Sequence, residues 1–190
     1  MPLNFNLEDI RKEFNCINYF ETGLWDPRTD VSSKIALRSN FKKVYCIELQ
    51  NKWVELGKEI FKDEIKSKRY VLILDDSTNM KHYFNNNDDF EDRTMFFLDA
   101  HVDNENIHNY KKKCPLFEEL DAIQTLKRKD HIILVDDLRM LAHPFPWGED
   151  SYGDINFTRM IMEKILSINP NYNFRLLDGY IKNDVLMAYI

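Results

Sequence analysis

Three aspartates follow two short apolar segments in the second half of the chain. Asp99 comes directly after residues 95–98, and Asp136 and Asp137 come directly after residues 132–135. Neighbouring parallel strands end at one edge of a sheet, so carboxylates placed there converge. Oxygen ligands suit Mg²⁺, which keeps positions open for substrate oxygens, and Mn²⁺ or Ca²⁺ accepts the same ligands. The sequence therefore predicts a divalent-metal site formed by Asp99, Asp136 and Asp137.

Two histidines near these aspartates are candidates for a general base. His101 lies two residues after Asp99, and His143 lies in the aromatic segment that follows Asp137. A hydroxyl is a poor nucleophile at neutral pH, but a bound cation lowers its pKa and a nearby imidazole then takes the proton. We therefore predict attack by an activated hydroxyl, with Asp99 and His101 at the catalytic centre and His143 as second candidate base. Orientation of the substrate is the alternative role for His101.

Acidic residues also end three earlier apolar segments and indicate a cofactor that lacks phosphates. Only Gly23 stands in the turn after the first segment, and the sequence has neither the GxGxxG pattern nor a Walker A loop. Glu48, after the second segment, is placed to accept hydrogen bonds from both hydroxyls of a ribose. Asp75, Asp76 and Ser77, after the third, are placed to meet an adenine amino group. Turn formation or helix capping is a sufficient explanation for an acid at the end of any one segment. Five apolar segments in succession that all end in an acid are harder to explain in that way.

The apolar segments and the polar stretches between them predict an α/β fold. The strand-like runs occupy residues 17–20, 44–47, 71–74, 95–98, 132–135, 173–177 and 185–190. Helical spacing occupies residues 31–39, 50–61, 115–126 and 157–166. In the second of these helices, the residues predicted to face inward are Trp53, Leu56, Ile60 and Phe61. Alternation of strands and helices indicates a doubly wound, mostly parallel sheet with helices on both faces.

Composition and charge are those of one ordinary globular domain. Hydrophobic residues make up 44% and charged residues 31% of the 190 residues. The formal net charge of −6 argues against a nucleic-acid partner, because phosphate binding needs clustered Lys and Arg. No apolar run approaches the ~20 residues that span a bilayer, and Cys16, Cys46 and Cys114 lack metal-binding spacing. We therefore expect a cytoplasmic protein with reduced thiols and no membrane partner.

Two further segments are candidates for the acceptor side of the site. Residues 103–113 are interpreted as a mobile lid that closes over the substrate. Phe145 and Trp147 are interpreted as an aromatic wall for a sugar ring, with packing of this loop on the core as the alternative. His82 and His131 are interpreted as surface histidines.

Three of the earlier segments resemble motifs of the class I S-adenosylmethionine-dependent methyltransferases. They are Phe20-Glu21-Thr22-Gly23, Tyr45-Cys46-Ile47-Glu48 and Leu74-Asp75-Asp76-Ser77. The resemblance implies a Rossmann-like, seven-stranded sheet with an antiparallel C-terminal strand, and a single methyltransferase domain over residues 1–190. It also implies cofactor contacts from Glu21, Thr22 and Gly23 at the methionine, Glu48 at the ribose, and Asp75, Asp76 and Ser77 at the adenine, with Asp99 completing the set.

The later motifs resemble those of the metal-dependent macrocin-type sugar O-methyltransferases. They are Phe97-Leu98-Asp99-Ala100-His101 and Leu134-Val135-Asp136-Asp137. In that group the corresponding aspartates hold the metal, and a carboxylate often stands where this chain has His101. The resemblance implies S-adenosylmethionine and a divalent metal, Mg²⁺ first, as cofactors, and methylation of a sugar or glycan hydroxyl. The chain also resembles methyltransferase domains in glycan-building proteins of large DNA viruses, which would place it in the host cytoplasm.

Other functions remain open on the sequence. A catechol- or caffeoyl-type methyltransferase also uses a metal and binds a planar diol, and a metal-dependent hydrolase or nucleotide-sugar enzyme can be built on the same fold. A further alternative, from outside the enzymes, is a binding module that keeps the sheet but has no catalytic activity. The expected partner is a small-molecule or glycan hydroxyl acceptor, with a homo-oligomer or a larger glycan-building protein as the expected assemblies.

Overall fold

A computed structural model describes residues 3–102, 107–141 and 157–190. The strands are β1 (Asn18–Thr22), β2 (Lys43–Glu48), β3 (Tyr70–Leu74), β4 (Thr94–Leu98), β5 (Ile132–Val135), β6 (Asn173–Leu177) and β7 (Val185–Tyr189). The α-helices in these ranges are α1 (Leu7–Glu13), α2 (Ser32–Arg38), α3 (Asn51–Ile60), α4 (Lys62–Lys66), α5 (Met80–Phe84), α6 (Leu116–Thr125), α7 (Leu138–Leu141) and α8 (Phe157–Ile168). Among the residues described, no helix is long and apolar enough to cross a lipid bilayer.

The seven strands form one sheet in the order β3-β2-β1-β4-β5-β7-β6. All pairs from β3 to β5 are parallel, whereas β7 runs antiparallel to both β5 and β6. The predicted mostly parallel sheet with an antiparallel C-terminal strand is therefore confirmed. The chain winds outward from β1 in one direction and from β4 in the other, so the strand order reverses between β1 and β4. Crevices at such a point are where α/β sheets bind ligands.

Helices cover both faces of the sheet, as predicted. Successive residues of a strand point to opposite faces, so Tyr19 and Phe20 of β1 enter different cores. Tyr19 packs in the core that includes buried residues of α1 and α2. Phe20 packs in the core that includes buried residues of α5, α6 and α8. Strands β1, β4 and β5 are buried along their whole length. The sequences of β4 and β5 are accordingly apolar runs, whereas β1 buries Asn18, Glu21 and Thr22 beside Tyr19 and Phe20.

The buried face of helix α3 overlaps the predicted one only in part, since Phe61 is buried as expected but Ile60 is exposed. Val54 has no exposed surface, whereas Ile60 is 40% exposed. The reason is Gly57, where a Cβ atom would lie 2.7 Å from Leu72 Cδ2 of β3 and 3.1 Å from Leu24 Cδ2. Because the helix approaches the sheet most closely at this glycine, the face centred on Val54 and Gly57 packs inward.

Four short helices were not predicted, namely α1, α4, α5 and α7. Each has four to seven residues, which is too short for helical spacing to stand out in the sequence. Helix α1 depends on its cap, since the Asn6 side chain accepts hydrogen bonds from the N–H groups of Glu8 and Asp9. Its buried residues Leu7 and Ile10 join the core beside β1.

The three cysteines are free and buried, in agreement with the expectation of reduced thiols. Burial raises the pKa of Cys16 and of Cys114 to about 12. Thiols that stay protonated in this way are poor nucleophiles and metal ligands. The cysteines therefore act as small core residues.

The packing of α3 gives a direct test by paired substitutions. Val54→Ala removes two buried methyl groups and should lower the free energy of unfolding by about 2 kcal/mol. Ile60→Ala, on the exposed side, should change it by no more than about 0.5 kcal/mol. Urea unfolding of both variants checks the assignment, and a larger loss for Ile60→Ala would show that the predicted face, not the observed one, is inward.

Candidate active site

A cavity of about 340 Å³ lies at the carboxyl edge of the sheet. Its wall is built from the loops that follow β1 to β5, and the residues it receives from them include Gly23, Glu48, Asp75, Asp76, Ser77, Asp99, His101, Asp137 and Arg139. Strand register explains the convergence, because Thr22 pairs with both Ile47 and Leu98 and so aligns the ends of β2, β1 and β4. The cavity has the size of a small-molecule site.

Glu21 and Thr22 lie beneath this cavity rather than in its wall. Strand β1 continues through Thr22, so Glu21 lies within the strand instead of following it. The buried Glu21 carboxylate accepts hydrogen bonds from Ser32 Oγ at 2.6 Å, from Ser33 Oγ and from the Tyr19 hydroxyl at 3.1 Å. Burial raises the pKa of Glu21, and the two serine hydroxyls lower it. Glu21 therefore joins the start of α2 to the sheet.

Gly23 and Glu48 fix the loop that follows β1. Gly23 adopts a φ of 87°, and a Cβ atom there would lie 2.9 Å from the Asp99 carbonyl oxygen, so glycine is required. Glu48 Oε2 accepts the N–H groups of Leu24 and Trp25 at 2.8 and 3.1 Å, while Oε1 accepts the N–H of Gln50 at 2.6 Å. Burial raises the pKa of Glu48, and these backbone donors lower it. Glu48 thus lines the cavity with its carboxylate held in one orientation.

The carboxylates of Asp75 and Asp76 are engaged within their own loop. Asp75 accepts hydrogen bonds from Asn79 Nδ2 at 2.8 Å and from the Tyr83 hydroxyl at 2.5 Å. Asp76 accepts the Thr78 N–H at 2.9 Å and caps the 3-10 turn Ser77–Asn79. Both residues line the cavity with Ser77, but their oxygens are already committed to neighbouring groups.

The described part of the predicted lid, residues 107–113, connects two sides of the cavity. The Lys111 N–H donates to Asp76 Oδ2 at 2.8 Å, and the Val102 N–H donates to the Lys113 carbonyl at 2.8 Å. Tyr110 and Lys112 line the cavity from this segment. Its place over the cavity agrees with a covering role, and its mobility stays a prediction.

Asp99, His101 and Asp137 form one group of metal-ligating side chains. Their ligand atoms lie within 4.8 Å of one another, with His101 Nδ1 3.8 Å from Asp99 Oδ1 and His101 Nε2 3.4 Å from Asp137 Oδ2. Asp99 Oδ1 is buried and has no hydrogen-bond partner among the described residues. Burial, reinforced by the charge of Asp136, raises the pKa of Asp99 well above its ordinary value. A divalent cation fits this group, because it would satisfy the orphaned oxygen and offset the repulsion.

Asp136, the third predicted ligand, lies in a second group with Asp137 and Asp184. Burial and the charge of Asp137 raise the pKa of Asp136 to about 7. The Asp184 side chain has no exposed surface and forms an ion pair with Arg139, which also pairs with Asp137. Neither Asp184 nor Arg139 was predicted as a site residue. Asp184 begins an apolar run instead of ending one, and it reaches this edge because β7 is antiparallel.

Glu119 is a buried acid that sequence patterns do not single out. It lies on α6 with 1% of its surface exposed, and neither carboxylate oxygen has a hydrogen-bond partner in the described part of the chain. Burial raises the pKa of Glu119 to about 7, and the nearby hydroxyls of Ser77 and Thr22 partly oppose this effect. Glu119 therefore lies next to a residue of the cavity wall, Ser77, and to the residue beneath it, Thr22.

Three other histidines, His82, His131 and His143, have different outcomes. His143 lies outside the described residues, as do Phe145 and Trp147. His82 is exposed, as expected. The surface position expected for His131 is wrong, because His131 has no exposed surface and its Nδ1 accepts the Thr94 N–H at 3.1 Å. Burial lowers the pKa of His131 to about 3, so this histidine stays neutral at the amino end of β5.

Comparisons with known proteins find similarity in structure alone. No protein-family model and no curated protein sequence matches the chain. The O-methyltransferase TomG from Streptomyces achromogenes, involved in tomaymycin synthesis and solved with SAM, aligns with a TM-score of 0.62 at 11% identity, over 97% of this chain and 77% of TomG. An O-methyltransferase from Bacillus cereus solved with SAH gives 0.61 at 15% identity, over 97% and 78%.

The same fold occurs with a different kind of acceptor. An rRNA methylase from Streptococcus thermophilus aligns with a TM-score of 0.55 at 14% identity, over 96% of this chain and 92% of that one. At these identities the likeness establishes the fold, which this chain shares with methyltransferases of known structure. The acceptor has to be argued from the site.

Glu119 gives a pH-dependent prediction. The folded protein keeps this proton up to about pH 7, whereas an unfolded glutamate releases it near pH ~4.3, so stability should fall as pH rises between these values. Glu119→Gln imitates the protonated form and should therefore gain up to about 3 kcal/mol over the wild type between pH 5 and pH 8.

Urea unfolding of both proteins at the two pH values measures this difference. Glu118→Gln is the matched control, since Glu118 is the adjacent residue but is paired with Lys112 near the surface. Equal pH dependence for Glu119→Gln and wild type would contradict the prediction.

Proposed function

We propose that the chain is an S-adenosylmethionine-dependent O-methyltransferase that uses a divalent metal and methylates a sugar or glycan hydroxyl. The observation that carries the proposal is the cavity where the strand order reverses, whose wall combines Glu48 with Asp99, His101 and Asp137. The shared fold with structures solved with SAM and SAH supports the choice of cofactor.

The reaction needs an oxygen nucleophile and a proton acceptor. As the acceptor oxygen forms its bond to the methyl carbon, the carbon–sulfur bond breaks and its electron pair stays on sulfur, which yields S-adenosylhomocysteine. The hydroxyl proton passes to a base, for which we propose His101. Asp99 and Asp137 flank its imidazole at 3.8 and 3.4 Å and would stabilise the imidazolium that forms. In-line positioning of the two substrates would supply much of the rate.

Asp99 and Asp137 are the residues proposed to hold the cation. The support is the orphaned Asp99 Oδ1 and the oxygen-rich donor set, which matches Mg²⁺ or Mn²⁺. When bound, such a cation lowers the pKa of a coordinated hydroxyl. Asp136 would act through Asp137, because Asp136 Oδ1 accepts the Asp137 N–H at 2.8 Å.

The sugar acceptor is proposed from the resemblance of the Asp99 and Asp136–Asp137 motifs to sugar O-methyltransferases. A catechol-type methyltransferase is the second enzymatic candidate, because the same acids and metal would also bind a planar diol. A screen of glycans, free sugars and catechols with labelled cofactor separates the two. If catechols are methylated and sugars are not, the proposed substrate class changes from sugars to catechols. Cofactor binding without turnover of any acceptor would favour a binding module.

Cofactor binding tests the core of the proposal. Isothermal titration should show that S-adenosylhomocysteine binds the wild type and that Glu48→Gln weakens it about 10-fold or more, through lost charge-assisted hydrogen bonds to the ribose. Glu21→Gln is a matched control, since this glutamate is buried beneath the cavity and should leave the affinity within about twofold. Absence of binding at millimolar ligand would refute the methyltransferase assignment.

Metal and base roles are separated by two variants at neighbouring positions. Asp99→Asn should abolish Mn²⁺ binding and turnover while leaving the melting temperature and cofactor affinity near those of the wild type. His101→Ala should keep Mn²⁺ binding but lower turnover by about 10²-fold or more.

Loss of Mn²⁺ binding in His101→Ala would instead make His101 a metal ligand. Full activity of the wild type after EDTA treatment would show that the aspartates are structural and that the metal-dependent mechanism is wrong.

A further inference from the structure

The second acidic group, Asp136, Asp137 and Asp184, buries three carboxylates in one place. Asp136, Asp137 and Asp184 are 4%, 2% and 1% exposed, and their ligand oxygens lie within 4.8 Å of one another. Like charges at this distance, with little water between them, repel strongly unless a cation or bound protons offset them. The group therefore needs bound protons or a positive partner.

Arg139 supplies that partner from the same turn. Its Nη1 lies 2.6 Å from Asp137 Oδ1 and also contacts Asp184 Oδ2, while its backbone N–H donates to Asp184 Oδ1 at 2.9 Å. The guanidinium also packs over the Tyr180 ring, with 4.9 Å between Cζ and the ring centroid. The position of Arg139 is thus fixed by a backbone hydrogen bond, by two ion pairs and by stacking of its guanidinium on an aromatic ring.

Asp137 is shared between the two acidic groups. Its Oδ1 faces Arg139 at 2.6 Å, and its Oδ2 faces His101 of the first group at 3.4 Å. A carboxylate that serves two cation positions at once is the bridging arrangement expected of two-metal centres, which stabilise the charge of transferring phosphoryl groups. Here one of the two positions is taken by a side chain.

We propose that Arg139 is the resident cation of the second acidic group and excludes a second divalent ion from it. Arg139 lines the cavity together with Asp137, so removal of the Arg139 side chain would also open a path from the cavity to Asp136 and Asp184. Arg139 is in this sense a specificity-determining residue, because it leaves no position for a divalent ion in the second acidic group. The inference rests on contacts within the chain and does not require that the first group bind metal.

The test counts Mn²⁺ ions per chain at pH 8 by isothermal titration, with electron paramagnetic resonance as a second readout. Arg139→Met should bind one more Mn²⁺ than the wild type, whereas Arg139→Lys should bind the same number. Arg175→Met is the matched control, since Arg175, like Arg139, pairs with an acid and packs on an aromatic ring, but its partners are Glu13, Phe14 and Tyr189. An equal count in Arg139→Met and wild type would overturn the inference.

The count also separates this inference from the proposed function. One ion in Arg139→Met and none in the wild type would support the inference and remove the metal from the proposed mechanism. One ion in both would leave the proposed metal site intact and overturn the inference.

Stability provides a readout if the uncompensated carboxylates destabilise Arg139→Met. Since a ligand that binds only the folded state stabilises it, Mn²⁺ should raise the melting temperature of Arg139→Met more than that of the wild type. The double variant Arg139→Met/Asp184→Asn removes a ligand with the arginine, so it should melt above Arg139→Met and lose the additional ion. The inference would be overturned if Mn²⁺ raised the melting temperature of Arg139→Met no more than that of the wild type. It would also be overturned if the double variant bound one more Mn²⁺ than the wild type.

Discussion

Burial of carboxylates at the carboxyl edge of the sheet is the constraint that shapes this molecule. Parallel strands bring Glu21, Glu48, Asp99 and Asp137 to one edge, and antiparallel β7 brings Asp184 to the same place. Each acid loses water on folding and needs donors or a cation in return. Glu21 accepts hydrogen bonds from hydroxyl groups, and Glu48 accepts them from backbone N–H groups. Asp184 forms an ion pair with the guanidinium of Arg139. Asp99 Oδ1 has no hydrogen-bond partner among the described residues, and a bound cation is the compensation proposed for it.

The same constraint links the loops to the cavity. Glu48 can hold the N–H groups of Leu24 and Trp25 only because Gly23 lets the chain turn close to the Asp99 backbone. A side chain at position 23 would push this loop away from both Glu48 and Asp99. The cofactor side and the proposed metal side of the cavity are therefore coupled through one glycine, although they belong to different strands.

Much of the fold is predictable because β2, β4 and β5 are buried on both faces and appear in the sequence as apolar runs. The buried face of α3 is not fully predictable, because hydrophobic spacing does not show that Gly57 lets the helix pack close to β3. In the site, acids that end parallel strands are visible as a pattern. Asp184 does not fit this pattern because it precedes a strand that runs antiparallel to the others. Glu119 does not fit it because the burial of a helical residue depends on tertiary packing.

Charge balance also bears on the class of reaction. Phosphoryl transfer concentrates negative charge in its transition state, and two metal ions stabilise that charge. Methyl transfer from a sulfonium begins with a positive charge that disappears as the reaction proceeds. A second divalent ion beside such a cofactor would add repulsion, whereas an arginine already paired with Asp137 and Asp184 adds little net charge. Placement of Arg139 in the second acidic group is thus better suited to a sulfonium methyl donor than to a phosphate substrate, which agrees with the methyltransferase assignment over a hydrolase on the same fold.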